Sequence, residues 1–194
     1  MSRDSLKVLG STTLAKSSQR KDNPNDYYGT DPKSTESLLQ VETFSPTIWE
    51  PCAGHHLIAN KLIEHGYNVK CSDIAEYEGF DHEILDFFDC TEKCNIDIIS
   101  NPPYNLATDF AAKALDLLTP GRKLALFLRL QYLEGVSRYE KVFRDNPPKT
   151  IYIFVNRQVC SKKDDFSEGS AVAYAWFVWE KGFTGDPVVK WLRN

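Results

Sequence analysis

Short runs of β-branched and aromatic residues alternate along this chain with stretches whose apolar residues recur at helical spacing, and that alternation commits it to strands layered against helices. Thr47-Ile48-Trp49-Glu50 reads as a first buried strand, and residues 68–72 as a second with Asp73 at its carboxyl end. Between them Leu57, Ile58, Leu62 and Ile63 share one helical face over 57–65, and Gly66 follows as a stop. Residues 84–88 form a short strand or strand-to-loop segment, and 96–100 a clearer strand that ends at a proline pair. Phe110, Ala111, Ala114, Leu115 and Leu118 mark a helix over 106–118 that Pro120-Gly121 ends. Residues 123–130, 150–155 and 171–179 supply the last expected strands, and the polar segment 156–170 is too long for a tight turn.

A chain of 194 residues can bury one good core and is short for two. Residues 1–25 lack apolar periodicity and read as a mobile tail, with a basic bias from Arg3, Lys7, Lys16, Arg20 and Lys21, which leaves 26–194 as the folded domain. The net charge of -4 gives no global basic footprint, so any contact with nucleic acid must be local. Five irregularly spaced cysteines argue against a disulfide framework and for a reduced, cytoplasmic setting. Cys90 and Cys94 have no second pair of ligands at zinc spacing, so no metal is expected. No apolar run suits a signal peptide or a membrane span.

The chemistry-bearing residues fall where strands end. Glu50-Pro51-Cys52-Ala53-Gly54 links the first strand to a helix, and in a doubly wound sheet that turn lies at the carboxyl edge, where small residues let backbone approach a ligand. Asp73, about 20 residues further on, is placed to accept hydrogen bonds from ribose hydroxyls. Asp86-Phe87-Phe88 follows the third apolar run, where an acid can bind an adenine amino group while a phenyl ring packs on the base. Together these point to an adenosine-containing cofactor.

Asn101-Pro102-Pro103-Tyr104 directly follows the strand over 96–100 and is the most informative segment. Its two prolines hold the backbone extended and fix an amide and an aromatic ring at the sheet edge. An aryl or amide nitrogen has a delocalised lone pair and attacks a sulfonium methyl poorly. Two acceptors, the Asn101 side-chain oxygen and the Pro102 carbonyl, can draw its N–H groups out of plane, while Tyr104 stacks on the target ring.

With the Glu50–Gly54 turn upstream, Asn101-Pro102-Pro103-Tyr104 resembles the motif of the amino-methyltransferases, and most of all the small phage-type DNA N6-adenine methyltransferases. Asp26-Tyr27-Tyr28-Gly29-Thr30-Asp31-Pro32 and the closing segment Ala173 to Glu180 with Trp191 extend the resemblance. It implies a Rossmann-like α/β sheet of seven strands, mostly parallel with the last antiparallel, helices on both faces, and S-adenosyl-L-methionine over the carboxyl ends of the first strands. By the same resemblance Tyr28, Thr30 and Pro32 border the methionine part of the cofactor, with Glu50, Ala53 and Gly54 beneath it. Asp73 holds the ribose, Asp86 and Phe87 the adenine, and Asn101, Pro102, Pro103 and Tyr104 form the catalytic platform. His56 stands where the family often has a second glycine, and its bulk is expected to narrow the pocket.

The activity implied is methyl transfer to N6 of adenine in DNA, with short or relaxed sequence preference because there is no room for a separate recognition domain. A duplex adenine must be flipped out to reach Asn101, and Arg129, Arg138, Arg157, Lys162 and Lys163 are the candidate phosphate contacts. Adenine in RNA, a protein glutamine amide, and a cofactor-binding module without catalysis are the alternatives that the same residues allow.

Overall fold

The computed structural model describes residues 27–193, apart from 162, 168 and 169. The tail over 1–25 and the contact expected of Lys162 therefore lie outside the described residues. In chain order the main elements are β1 (Gly29–Thr30), α1 (Pro32–Leu39), β2 (Thr47–Glu50), α2 (Leu57–Glu64), β3 (Asn68–Asp73), β4 (Glu83–Ile84), β5 (Asp97–Ser100), α3 (Ala107–Leu117), β6 (Lys123–Arg129), β7 (Thr150–Phe154), β8 (Cys160–Ser161), β9 (Tyr174–Glu180) and β10 (Val188–Leu192).

Eight of these strands form one sheet in the order β10-β7-β9-β6-β5-β2-β3-β4. Strands β2 to β6 are parallel, and β9 is inserted antiparallel between β6 and β7. The strand order reverses between β2 and β5, which opens the crevice where such sheets bind ligands.

Residue alternation along β6 shows how both faces are covered. Leu124, Leu126 and Leu128 join Phe110, Ala111 and Ala114 of α3 in one core, while Ala125 and Phe127 join Leu38 of α1 and Ile58 and Leu62 of α2 in the other. A strand buried on both faces reads as a continuous apolar run, as β6 does. The layered α/β architecture with helices on both faces is therefore as the sequence implies.

Strands β1 and β8, which pair with each other outside the main sheet, were not expected, and two larger elements also differ from expectation. The sheet has an eighth strand, β10, which runs parallel to β7 at the edge, so the antiparallel strand is not the last in the chain. Val188, Val189 and Trp191 are exposed and only Leu192 is buried, so β10 carries no inward-outward alternation to announce it. Helix α1 was also silent, because its buried face is mostly Ser34, Thr35 and Ser37. It begins at an Asp31 cap, whose carboxylate accepts from the Lys33 N–H at 3.0 Å, with Pro32 in the first turn, and the Trp176 indole donates to the Ser34 carbonyl at 2.8 Å.

The strands beside the crevice are tied together at their far end by Asp97. Its buried carboxylate accepts from the Ser45 N–H at 2.6 Å and the Lys123 N–H at 2.8 Å, linking the approach to β2 with the start of β6. Replacing Asp97 by Ala strands both donors, and chemical denaturation should show a loss of about 2–4 kcal/mol. A loss below about 1 kcal/mol would mean that water replaces the carboxylate at no cost.

Candidate active site

The carboxyl ends of β2, β3 and β5 converge on a cavity of about 390 Å³, within the size range of small-molecule sites. Tyr28, Thr30, Glu50, Ala53, Asp73, Asp86, Phe87, Asn101 and Pro103 lie on its wall. Pro32, Gly54, Pro102 and Tyr104 do not, although each belongs to a segment that does.

At the first turn the Gly54 N–H donates to Asp73 Oδ2 at 3.0 Å, and the Ala75 N–H donates to Oδ1 at 3.0 Å. Asp73 is thereby fixed by two different loops, 7% exposed, with its remaining lone pairs available to a ligand. Burial raises its carboxyl above the ordinary value, and the Ala75 and Gly54 N–H groups oppose that shift. Gly54 is required here: its φ is +48°, and a Cβ would collide with the Tyr27 ring.

Glu50 is 2% exposed and its Oε2 has no hydrogen-bond partner. Burial drives its carboxyl well above the usual range, with the Asp73 charge adding to the shift against the Ala59 N–H. An orphaned carboxylate oxygen beside the cavity fits a cationic ligand group, since an ammonium would supply both the missing donor and the missing charge.

Asp86 caps a short turn by accepting from the Phe88 N–H at 2.9 Å. Phe87 stacks on Phe110 with centroids 4.1 Å apart and meets Trp49 at 5.4 Å, so its ring is a rigid part of the wall. Ile74 and Leu85 extend the apolar wall beside them. Ile74 was not picked out from sequence, although a large apolar residue directly after a strand-end acid was the available signal.

Asn101 is held with one face of its amide committed. Its Nδ2 donates to the Tyr28 carbonyl at 2.9 Å and to Thr30 Oγ1 at 3.0 Å. A carbonyl can only accept, so the assignment of nitrogen and oxygen is fixed and Oδ1 is buried without a partner. The platform therefore presents an unused acceptor.

Tyr104 is not on the cavity wall as expected of a ring that stacks on a substrate. Its hydroxyl donates to Cys160 Sγ at 3.1 Å, the Arg129 guanidinium lies 4.7 Å from its ring centroid, and Tyr28 and Tyr174 flank it at 5.8 and 6.0 Å. Burial pushes the Cys160 thiol up to about 11, so at neutral pH it is an uncharged acceptor for the phenol.

Cys160 and Asp164 come from the polar segment after β7, whose part in the site sequence reasoning missed. Strand β8 pairs antiparallel with β1, placing Cys160 opposite Thr30. Asp164 then accepts from the Tyr27 hydroxyl at 2.8 Å and engages His55 Nδ1 at 2.6 Å. Burial, followed by the Asp164 carboxylate, pushes the Tyr27 phenol far above its ordinary value. Gly29 permits this strap, because a Cβ there would strike the Asp164 carboxylate. No local pattern links residues so far apart in sequence.

His56 takes the left-handed conformation that a glycine would adopt, with φ +56° at the start of α2. Its ring is not on the cavity wall. Nε2 lies 3.1 Å from His82 Nδ1, and His82 Nε2 meets the Ala75 carbonyl at 2.8 Å. Because that carbonyl only accepts, the neutral pair runs His56 to His82 to Ala75. Burial lowers the His56 pKa, and His82 lowers it further. The expected narrowing of the pocket does not occur.

Arg129, Arg157 and Lys163 are exposed, and β6 and β7 run parallel, so the residues following both strands emerge at the edge that holds Asn101. Arg138 is instead engaged within its own turn, donating to the Gln131 carbonyl at 3.1 Å and to that of Glu134, with its guanidinium 5.3 Å from the Tyr132 ring centroid. Cys90 and Cys94 bond separately to the carbonyls of Asp86 and Ile96, and among the described residues no His, Cys, Asp and Glu cluster suits a metal ion. No helix among them is long and apolar enough to cross a membrane.

This fold is that of the class I S-adenosylmethionine-dependent methyltransferases. Similar solved structures include a predicted O-methyltransferase from Agrobacterium tumefaciens, 17% identical with a TM-score of 0.59, covering 83% of this chain and 85% of that one. TrmN from Thermus thermophilus is 19% identical with a TM-score of 0.52 over 77% of this chain, which spans 48% of TrmN. The 23S rRNA methyltransferase ErmE is 13% identical with a TM-score of 0.52, covering 83% of this chain and 71% of that one. No family model matches the chain, and no curated protein matches it.

The Glu50 geometry makes two opposite demands. Its folded pKa lies above the ordinary value of 4.5, so its favourable contribution is complete below that pH and is lost as pH rises through the folded value. Glu50→Gln should therefore raise the neutral-pH melting temperature of the ligand-free protein by about 2–6 °C and flatten that pH dependence. The same variant should bind an ammonium-bearing ligand of the cavity at least about 10-fold more weakly by calorimetry, since a charged acceptor is lost. A variant that is both less stable and equally strong in binding would exclude this role.

Proposed function

We propose that the protein transfers a methyl group from S-adenosylmethionine to the N6 amino group of adenine in DNA. The single observation that carries the reading is the buried, unpartnered Asn101 Oδ1, whose direction is set by the Tyr28 carbonyl and Thr30 at the other end of the amide. A buried acceptor without a donor is costly, and an exocyclic amine supplies the missing N–H.

The cavity residues suit the cofactor. Glu50 Oε2 would hold its ammonium group, Asp73 its ribose hydroxyls and Asp86 its adenine amino group, with Phe87 and Ile74 against the base. S-adenosylmethionine, when bound, supplies an electrophilic methyl group on sulfur. Asn101 Oδ1 and the Pro102 carbonyl accept the two N–H groups of the target amine and favour a pyramidal nitrogen whose lone pair is free to react. Neither acceptor takes the proton, which leaves to solvent after the new bond has formed, so positioning rather than basicity drives the step.

The nucleic-acid part of the reading rests on Arg129, Arg157 and Lys163 at the same sheet edge and on an aromatic residue next to Asn101. The test is transfer of labelled methyl to unmethylated duplex DNA, single-stranded DNA and RNA, followed by nucleoside mass analysis. N6-methyladenine in DNA is the expected product. Methylated RNA alone would move the substrate to the other polymer, and no labelled nucleoside from any of them would end the reading.

Asn101→Ala should lower kcat by about 100- to 1,000-fold while leaving the Kd for S-adenosylmethionine within a few fold. Asp73→Ala should show the reverse pattern, weakening cofactor binding by about 10-fold or more at saturable kcat. An active Asn101→Ala enzyme would remove the mechanism, and an unchanged Kd in Asp73→Ala would remove the ribose assignment.

A further inference from the structure

We propose that Arg129 occupies the place of the target base on Tyr104 and makes the enzyme select nucleotides within a phosphate backbone over free nucleosides. The inference rests on the nucleic-acid reading above and adds the determinant of substrate size.

Tyr104 follows the acceptor pair, but the guanidinium of exposed Arg129 already covers its ring, 4.7 Å from the centroid. The other aromatic neighbours, Tyr28 and Tyr174, lie at 5.8 and 6.0 Å with planes tilted by 35° and 38°, as flanking contacts rather than covers. Because Arg129 is exposed, the ring face that it covers is the one closed off from solvent by a movable side chain.

A planar base cannot be inserted beneath it. Two successive van der Waals contacts need about 7 Å between ring and guanidinium. The 4.7 Å observed leaves room for one layer, so base and guanidinium exclude each other on this face. Tyr104 is kept in place by its bond to Cys160, and Arg129, an exposed side chain that also hydrogen-bonds the Tyr174 hydroxyl, is the partner that gives way.

What the arginine does next sets the selectivity. Arg129 ends β6, at the edge where Asn101 sits, and a guanidinium displaced from an aromatic face has a strong alternative partner in a phosphate oxygen. A nucleotide within a strand offers the base that takes the ring and the phosphate that receives the arginine. A free nucleoside displaces the arginine and gives it nothing in return.

The two substrate classes should therefore respond to Arg129→Ala in opposite directions. Calorimetry with the full chain would compare deoxyadenosine with a short single-stranded oligodeoxynucleotide containing one adenine. The variant should bind deoxyadenosine roughly two- to five-fold more tightly, from loss of the competing cation–π contact. It should bind the oligonucleotide roughly three- to ten-fold more weakly, and the slope of log K against log salt should fall by about 0.7, the value of one phosphate contact on a single strand. Arg129→Lys, which keeps the charge without the flat guanidinium, should retain the salt slope and still gain affinity for deoxyadenosine.

Weaker or unchanged binding of deoxyadenosine by Arg129→Ala would overturn the stand-in role, and an unchanged salt slope would overturn the phosphate contact. Either result can occur while wild-type protein still methylates adenine in DNA, which separates this inference from the functional reading. Wild-type protein that binds neither ligand and methylates no polymer overturns both.

Discussion

Two adjacent parallel strands, β2 and β5, point their carboxyl ends at one cavity while the chain leaves them in opposite directions, and the rest of the molecule is arranged around that divergence. The crossover through α2 leads to β3 and β4 on one side, and the crossover through α3 leads to β6 on the other. Glu50 and Asn101 are consequently near neighbours at the strand ends although half a hundred residues separate them in sequence. Asp97 ties the opposite ends of the same strands, so the crevice is open at one edge and closed by hydrogen bonds at the other.

Polar groups left incomplete by this packing give the site its chemical character. Most buried polar atoms in a folded protein find a partner. Here Glu50 Oε2 and Asn101 Oδ1 have none, and both belong to residues on the cavity wall. One calls for a cation and the other for an N–H donor, two different groups that a sulfonium amino acid derivative and an exocyclic amine would bring. Asp73 is different, since two backbone N–H groups already fix it and a ligand only adds to them.

The framework was legible because it is built from local patterns. Helices α2 and α3 and the strands β2, β3, β5, β6, β7 and β9 each announced themselves by apolar spacing or by continuous apolar runs, with ends displaced by a few residues. The candidate residues at or just beyond strand ends, Glu50, Asp73, Asp86 and Asn101, could be placed because a strand end in a parallel sheet is a known position. Side-chain direction was not available from that logic. Tyr104 turns toward Cys160 and Arg129, Arg138 folds onto its own turn, and His56 enters the left-handed region with its ring toward His82, each set by partners distant in sequence or by backbone that no spacing reveals. The strap carrying Cys160 and Asp164 was illegible for the same reason, and β10 and α1 because their faces are exposed or polar.

That strap bears on the order in which the molecule assembles. The Tyr27–Asp164 bond spans 137 residues, and contacts of such separation must meet the entropic cost of closing a long loop before they give anything back. The β2–β3 and β5–β6 pairings need only the short crossovers between them. A newly made chain thus has the means to pair β2, β3, β5 and β6 before β8 emerges to meet β1, and until then Asn101 lacks its Cys160 neighbour. The contacts of β8 with β1 are in this sense late ones, added to strands β2, β3 and β5 that already carry Glu50, Asp73 and Asn101 at or beyond their ends.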